Sequence, residues 1–140
     1  MKRYIFLLLL IATLFLCSCE NFEWFKSEKG IKKQLEGTWQ REFLTDTTAQ
    51  EYWHFADGKL NVVTLAGSDT TDKNTVDFTV DAGITTSYVK TPSIQVGDYT
   101  QALKWSIVIL DNDALYLVAE KDGSLLQREF AKKNIHNFIY

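Results

Sequence analysis

Few side chains in this chain could do chemistry, and its two histidines are the first to consider. His54 alternates out of phase with Trp53 and Phe55 in a strand-like segment, which places it on the opposite, outer face. His136 lies in the C-terminal tail. The chain has no His-Glu-x-x-His metal motif, no Gly-x-Ser-x-Gly nucleophile turn and no glycine loop for phosphate. The sequence therefore predicts no catalytic residue, no metal ligand and no cofactor.

Carboxylates are the other candidates for chemistry. Asp111-Asn112-Asp113 begins like a calcium loop, but Leu115 stands where an oxygen ligand is needed, so we interpret the segment as a turn. Paired carboxylates for glycoside hydrolysis stay open as an alternative, because the spacing that matters there is in space rather than along the chain. Nothing in the sequence positively indicates an enzyme.

The first 19 residues have the plan of a secretory signal peptide. Lys2 and Arg3 give a positive start, and the 13 residues of Tyr4–Leu16 are apolar except for Thr13. A membrane-spanning helix needs roughly 20 such residues. We therefore interpret this run as a cleaved signal rather than as a membrane span.

The segment Leu16-Cys17-Ser18-Cys19 resembles the lipobox of bacterial lipoproteins, with an aliphatic residue, two small residues and then the cysteine. The resemblance implies cleavage before Cys19, attachment of lipid to that cysteine, and a domain held on a membrane surface by its lipid. The alternative is an ordinary secretory signal that leaves Cys19 as a free thiol. In either case Cys17 leaves with the signal, so the mature domain has no disulfide.

We divide the chain into a signal peptide (1–18), a lipidated tether (19–26) and one domain (27–140). Removing Lys2 and Arg3 from the 15 basic residues leaves 13 against 18 acidic ones, a net charge of about −5. Such a balance lacks the basic footprint of a nucleic-acid binder. The expected location is the bacterial cell envelope, on the outer membrane, with the periplasmic face and the cell surface both open.

The mature domain opens with a short helix and continues in strands. Ser27–Glu36 has a capping serine, and Ile31 and Leu35 stand four residues apart on one face. From Gly37 onward the apolar pattern has period two, with turn residues such as Asp57-Gly58 and Asp122-Gly123 between the runs. Eight strands are predicted: Thr38–Leu44, Gln50–Ala56, Lys59–Ala66, Thr75–Asp81, Ile84–Thr91, Thr100–Leu110, Ala114–Glu120 and Leu125–Lys132.

Short turns force antiparallel neighbours, so the predicted fold class is all-β: an eight-stranded up-and-down barrel with a short N-terminal helix. A two-sheet sandwich is the rival arrangement. The alternation places on the inner face Trp39, Phe43, Trp53, Phe55, Val76, Phe78, Val80, Ile84, Tyr88, Leu103, Trp105, Ile107, Ile109, Leu115, Leu117, Leu126, Arg128 and Phe130. A barrel of this size either fills with side chains or holds one small ligand, and both outcomes stay open.

Gly37-Thr38-Trp39 resembles the Gly-x-Trp signature of the lipocalins, which follows a short helix on the first strand of a meander. The resemblance covers about 31–133 and implies that an arginine of the last strand packs across the tryptophan. Arg128, which stands between Leu126 and Phe130 on the last predicted strand, is the residue expected to do so. The chain departs from secreted lipocalins in lacking their disulfide and in its shorter strands.

Two functional hypotheses follow. The first is a non-enzymatic, membrane-anchored domain that binds a small hydrophobic or amphipathic ligand, with Trp53, Tyr88 and Trp105 lining the site. The second is a structural or partner-binding module of a cell-envelope assembly with a filled barrel. It depends on Lys90–Tyr99, a predicted connection whose Ile94 is unexpectedly apolar for an exposed segment.

Overall fold

The computed structural model describes residues 27–42, 49–67, 69–96 and 99–134. Over these ranges the protein is mostly antiparallel β-sheet with one short helix. The predictions for the signal peptide, for the tether with Cys19, for Phe43 and for His136 fall outside the described residues.

Helix α1 (Glu28–Leu35) is the predicted N-terminal helix. The Ser27 hydroxyl accepts a hydrogen bond from the Gly30 amide at 3.1 Å, which caps its first turn. Ile31 and Leu35 are fully buried, so the apolar face of α1 packs on the sheet.

Gly37 makes the step from helix to strand at a φ of +118°, a conformation open to glycine but strained for other residues. A β-carbon at this position would also lie 3.1 Å from Cε of Lys132, the lysine that passes beside the glycine. The first residue of the Gly-x-Trp signature is thus required by the backbone itself.

Nine strands lie within the described residues. They are β1 (Gly37–Arg41), β2 (Ala49–Ala56), β3 (Lys59–Ala66), β4 (Asp69–Asp77), β5 (Thr79–Asp81), β6 (Tyr88–Val96), β7 (Tyr99–Leu110), β8 (Ala114–Lys121) and β9 (Ser124–Lys133). All belong to one sheet, ordered β4-β3-β2-β1-β9-β8-β7-β6-β5, so the two-sheet sandwich is wrong. Strand β1 pairs with both β2 and β9, and the first strand therefore lies beside the last.

The closed eight-stranded barrel is also wrong, because strands β4 and β5 are the two ends of the sheet. They are consecutive in the chain and separated by Phe78 alone. The Phe78 amide donates to the Gly58 carbonyl at 3.1 Å, whereas Thr79 pairs with Lys90 on β6. The chain changes its partner strand at this residue. The single predicted strand Thr75–Asp81 thus becomes parts of two, and β4 lies beside β6 without joining its ladder.

The sheet nevertheless curls around its inner face. Trp53 on β2 meets Trp105 on β7, with ring centroids 5.5 Å apart, although three strands lie between them in the sheet order. Phe55 on β2 makes an edge contact with Phe78, and the centres of these two rings are 5.0 Å apart. The aromatic core therefore lies on the concave side of the sheet.

The predicted inner face is wrong in β6 and at the end of β7. Ile84 is 85% exposed and lies before β6, while Ile109 is 46% exposed. Strand β7 has a bulge between Ile107 and Ile109, where an extra residue reverses the alternation and turns Leu110 inward instead.

The predicted connection Lys90–Tyr99 is in fact the greater part of β6 and the start of β7. Pro92 lies at a second bulge, between Thr91 and Ile94, where a missing amide donor is tolerated. Ile94 is fully buried in the core. The observation that supported a partner-binding surface is therefore overturned.

Candidate functional site

Two of the three residues predicted to line a ligand site come together. Trp53 and Trp105 are 2% and 0% exposed, and their rings make an edge contact with an interplanar angle of 80°. Phe130 of β9 lies 4.9 Å from the Trp53 ring. These three rings form an aromatic wall inside the curled sheet.

The third predicted residue, Tyr88, is not part of this wall. Its neighbour Val89 is fully buried, so Tyr88 occupies the opposite face of β6. Lys104, an exposed residue of β7, places its Nζ atom 3.8 Å from the centre of the Tyr88 ring. The prediction that Tyr88 shares the inner face with Trp53 and Trp105 is wrong, because Val89 rather than Tyr88 faces the core.

A charged group accompanies the aromatic wall on the inner face. Arg41 of β1 donates from Nη1 to Oε2 of Glu51 on β2 at 3.0 Å, and the two side chains are only 22% and 16% exposed. The other carboxylate oxygen, Oε1, accepts from the indole nitrogen of Trp53 at 2.7 Å. Glu51 is therefore held by one guanidinium and one indole N–H.

Sequence reasoning missed Arg41 and Glu51. Each stands two residues from an inward-facing tryptophan, Arg41 after Trp39 and Glu51 before Trp53. The period-two rule therefore assigns both to the inner face. Their opposite charges on facing strands were the signal that could have found them.

Arg128 of β9 lies on the inner face, as predicted, but it does not pack where the lipocalin resemblance places it. Its Cζ atom lies 6.0 Å from the ring centre of Trp105, whereas the cation over Trp39 is Lys132, with Nζ at 4.7 Å. Both basic residues share one face of β9 because they are four residues apart. Lys132 is nearer to the end covered by α1, where its Nζ also donates to the Gln34 carbonyl at 3.3 Å.

The surroundings of Arg128 disfavour its positive charge. Partial burial lowers the pKa of the guanidinium, the neighbouring Arg41 lowers it further, and Glu51 acts in the opposite direction. The hydrogen bond that the structure gives Arg128 runs from Nη1 to the carbonyl of Gln127, its own neighbour, at 3.0 Å. Glu51 accepts from Arg41 and Trp53, and none of the ion pairs among the described residues includes Arg128.

Trp105, beside Arg128, has a hydrogen-bond donor without an acceptor. Among the buried side-chain nitrogen and oxygen atoms of the described residues, the indole nitrogen of Trp105 is the one without a hydrogen-bond partner. A buried donor left unpaired costs about 1–3 kcal/mol. Because Trp105 also contacts Arg128 and Trp53, this N–H belongs to the same cluster of side chains.

A depression of about 480 Å³ lies where the chain passes from β4 to β5, beside the bulge of β6. Asp77 and Thr79 line it on one side, and Thr91, Pro92 and Leu103 on the other. Thr91 and Leu103 belong to the buried inner face, while Asp77, Thr79 and Pro92 are exposed. Lys90, Ala102 and Lys104 complete the lining, and both Ala102 and Lys104 are exposed, so the depression is open to solvent.

The structure places the remaining polar candidates outside this cluster. Asp111 forms the predicted turn, since its Oδ1 accepts from the amides of Asp113 and Ala114 at 2.8 and 2.7 Å. Over the described ranges, no group of three or more His, Cys, Asp or Glu side chains is arranged to hold a metal ion. No helix in the described part of the chain is long and apolar enough to cross a membrane.

His54 lies on the outer face, as predicted, and pairs across the strands with Thr38. Its Nδ1 and the Thr38 hydroxyl are 2.9 Å apart. Partial burial lowers the pKa of the imidazole from its usual value of 6.5, because burial disfavours the charged form.

This pKa shift predicts that stability falls in mild acid. Below pH 6.5 the unfolded chain takes up the His54 proton before the folded chain does, so the free energy of unfolding decreases as the pH falls through the lowered pKa. The loss should be absent from His54→Gln in urea denaturation at pH 7.5 and 5.5. An NMR titration that gives His54 a pKa of 6.5 or higher in the folded protein would contradict the prediction.

Comparison with known proteins adds no relative: no protein-family model, curated protein or solved structure significantly matches the chain. The interpretation of this site therefore depends on its geometry and on the sequence.

Proposed function

We propose that the protein is a lipid-anchored, non-enzymatic binding domain of the bacterial cell envelope, whose curled sheet holds a small amphipathic ligand. One observation carries the proposal: the buried contact of Trp53 and Trp105 lies beside a half-buried charged group, Arg41, Glu51 and Arg128. Sites for small molecules combine apolar and aromatic walls with a few placed polar groups. A filled core would have no need of three charged side chains next to its largest rings.

The topology supports a relationship of lipocalin type. The strands follow one another as a meander, β1 lies beside β9, and α1 covers the end of the sheet that holds Trp39. The binding role therefore falls to the part of the interior further from α1, where Arg41, Glu51 and Arg128 lie.

The anchor in this proposal is Cys19. Cells grown with labelled palmitate should incorporate the label into the wild-type protein, and Cys19→Ala should abolish both the labelling and the recovery of the protein in the membrane fraction. The outer membrane is the proposed location. Equal labelling of the wild type and of Cys19→Ala would remove the anchor from the proposal.

Ligand binding is tested by native mass spectrometry of the protein purified from its own host, which should show a bound small molecule. Titration with fatty acids, bile acids or porphyrins should quench the fluorescence of Trp53 and Trp105. The variants Trp53→Phe and Trp105→Phe should each lose much of this quenching. A protein that carries no bound molecule and shows no quenching with these compounds would overturn the proposed function.

A further inference from the structure

The interior contains two pairs of the same donors, an arginine with a tryptophan. In the first pair, Arg41 and the indole N–H of Trp53 hold the two carboxylate oxygens of Glu51 at 3.0 and 2.7 Å. In the second, Arg128 lies over Trp105, and the Trp105 indole N–H is buried without an acceptor. The two pairs adjoin each other through the contact of Trp53 with Trp105.

We propose that the second pair, Arg128 and the indole N–H of Trp105, binds the carboxylate of an amphipathic ligand, as the first pair binds Glu51. This inference rests on the proposed function and specifies the polar end of its ligand. Arginine and indole N–H groups are donors only, so the group that satisfies them must be an acceptor. A carboxylate has two acceptor oxygens and matches the planar guanidinium.

Charge favours a carboxylate over a phosphate. The charged groups that act on Arg128 are Arg41 and Glu51, so the cluster of two guanidiniums and one carboxylate has one uncompensated positive charge. A singly charged carboxylate neutralises it, whereas a phosphate monoester carries about −1.5 to −2 at neutral pH. The fully buried surroundings of Trp105 make the excess charge of a phosphate costly.

The rest of the ligand should be apolar. The Trp53 ring contacts Trp105, and Phe130 contacts Trp53 in turn, so ring surface adjoins the donor pair. Arg128 is half-buried and therefore open to an approaching group, while Trp105 is fully buried. We expect the carboxylate to reach Arg128 first and to gain the indole N–H as the aromatic side chains adjust around it.

The test compares decanoate with 1-decanol, which share a chain length and differ in the charged end. Isothermal titration of the wild-type protein should show decanoate binding roughly ten- to hundredfold more tightly, the range for hydrogen bonds to charged groups. The variant Arg128→Gln should bind the two compounds about equally. Its matched control is Lys132→Gln, which removes the other inward cation of β9 and should leave the preference for decanoate unchanged.

A second measurement does not depend on any variant's stability. The indole N–H resonance of Trp105 in the wild-type protein should move further downfield with decanoate than with 1-decanol, because a charged carboxylate is a stronger hydrogen-bond acceptor than a hydroxyl oxygen. Three results would each overturn the carboxylate site and leave the proposed function standing. They are equal affinities for the two compounds, an unchanged preference for decanoate in Arg128→Gln, and a Trp105 resonance that does not shift when decanoate is added. Binding of neither compound, with no quenching by the other ligands tested, would overturn both.

Discussion

Replacing Ile94 with aspartate is expected to unfold the protein. The side chain is fully buried in the core of the curled sheet, beside the bulge that follows Thr91. Removing a buried isoleucine side chain costs about 2–5 kcal/mol, and a buried carboxylate without a partner adds several more. Folded domains have about 5–15 kcal/mol of stability in total. Loss of the near-ultraviolet circular dichroism signal and of the cooperative denaturation transition would show the effect.

The control is Leu125→Asp, which makes the same chemical change at a side chain that is 66% exposed. Its free energy of unfolding should stay within about 0.5 kcal/mol of the wild type. A partner-binding role for Ile94 makes the opposite prediction: the aspartate variant would fold normally and lose only a partner. A cooperatively folded Ile94→Asp with near-native stability would therefore contradict the register of β6 described above.

Local chemistry predicted the tight hairpins well. The residue types of Asp57-Gly58 and Asp122-Gly123 predict turns, and all four residues have positive φ angles between 49° and 77°. The pairs Ala56 with Lys59 and Lys121 with Ser124 close two-residue turns there. Such turns depend on four consecutive residues, so the sequence is sufficient to find them.

The bulges could not be predicted in the same way. The bulge in β7 inserts an extra residue near Val108, and the apolar pattern of the sequence does not show it. Its consequence is seen in the structure, where the apolar side chains of Val108 and Ile109 are exposed. In β6, Pro92 indicated a connection because proline is rare inside a sheet, yet a bulge accommodates it. Whether a strand continues past such a point depends on packing with its neighbours, which the linear pattern does not contain.

Strand β4 was largely missed for a related reason. Its first six residues, Asp69–Asn74, are all polar, and no apolar alternation marks them as a strand. Their pairing with β3 provides the hydrogen bonds. At Phe78 the chain stops pairing with β3 and starts pairing with β6. This change depends on the neighbouring strands, so the sequence of the segment 75–81 does not show it.

For the candidate site, the alternation of apolar and polar residues predicts which face of the sheet a side chain occupies. It does not predict which side chains of the other strands lie at the same level. Arg128 faces inward as expected, yet it lies over Trp105, and the cation over Trp39 is Lys132. Four residues of strand cover about 13 Å, a difference that the period-two rule cannot detect. The donor pair that we propose for the ligand depends on the level at which Arg128 lies in the sheet. The fold determines that level, and the sequence pattern does not reveal it.

Trp39 is the second position where a large effect is expected. The side chain is fully buried, and its indole nitrogen donates to the Leu35 carbonyl at 2.7 Å, at the last residue of α1. The final carbonyls of a helix have no partner within it, so this bond joins the helix end to the first strand. Trp39→Ala should lower the free energy of unfolding by about 3–5 kcal/mol for the cavity. The unsatisfied carbonyl should cost about 1–3 kcal/mol more.

Two further variants separate the contributions to this loss in urea denaturation. Trp39→Phe keeps most of the ring but removes the donor, and should cost about 1–3 kcal/mol. Lys132→Met keeps the aliphatic stem beside Gly37 and removes the ammonium group over the ring, which is worth about 0.5–1 kcal/mol at a partly exposed site. If Trp39→Phe were as stable as the wild type, the helix end would be held by packing alone. The tryptophan of the Gly-x-Trp signature would then serve only as a large apolar side chain, and its bond to α1 would not explain why an indole occupies the position.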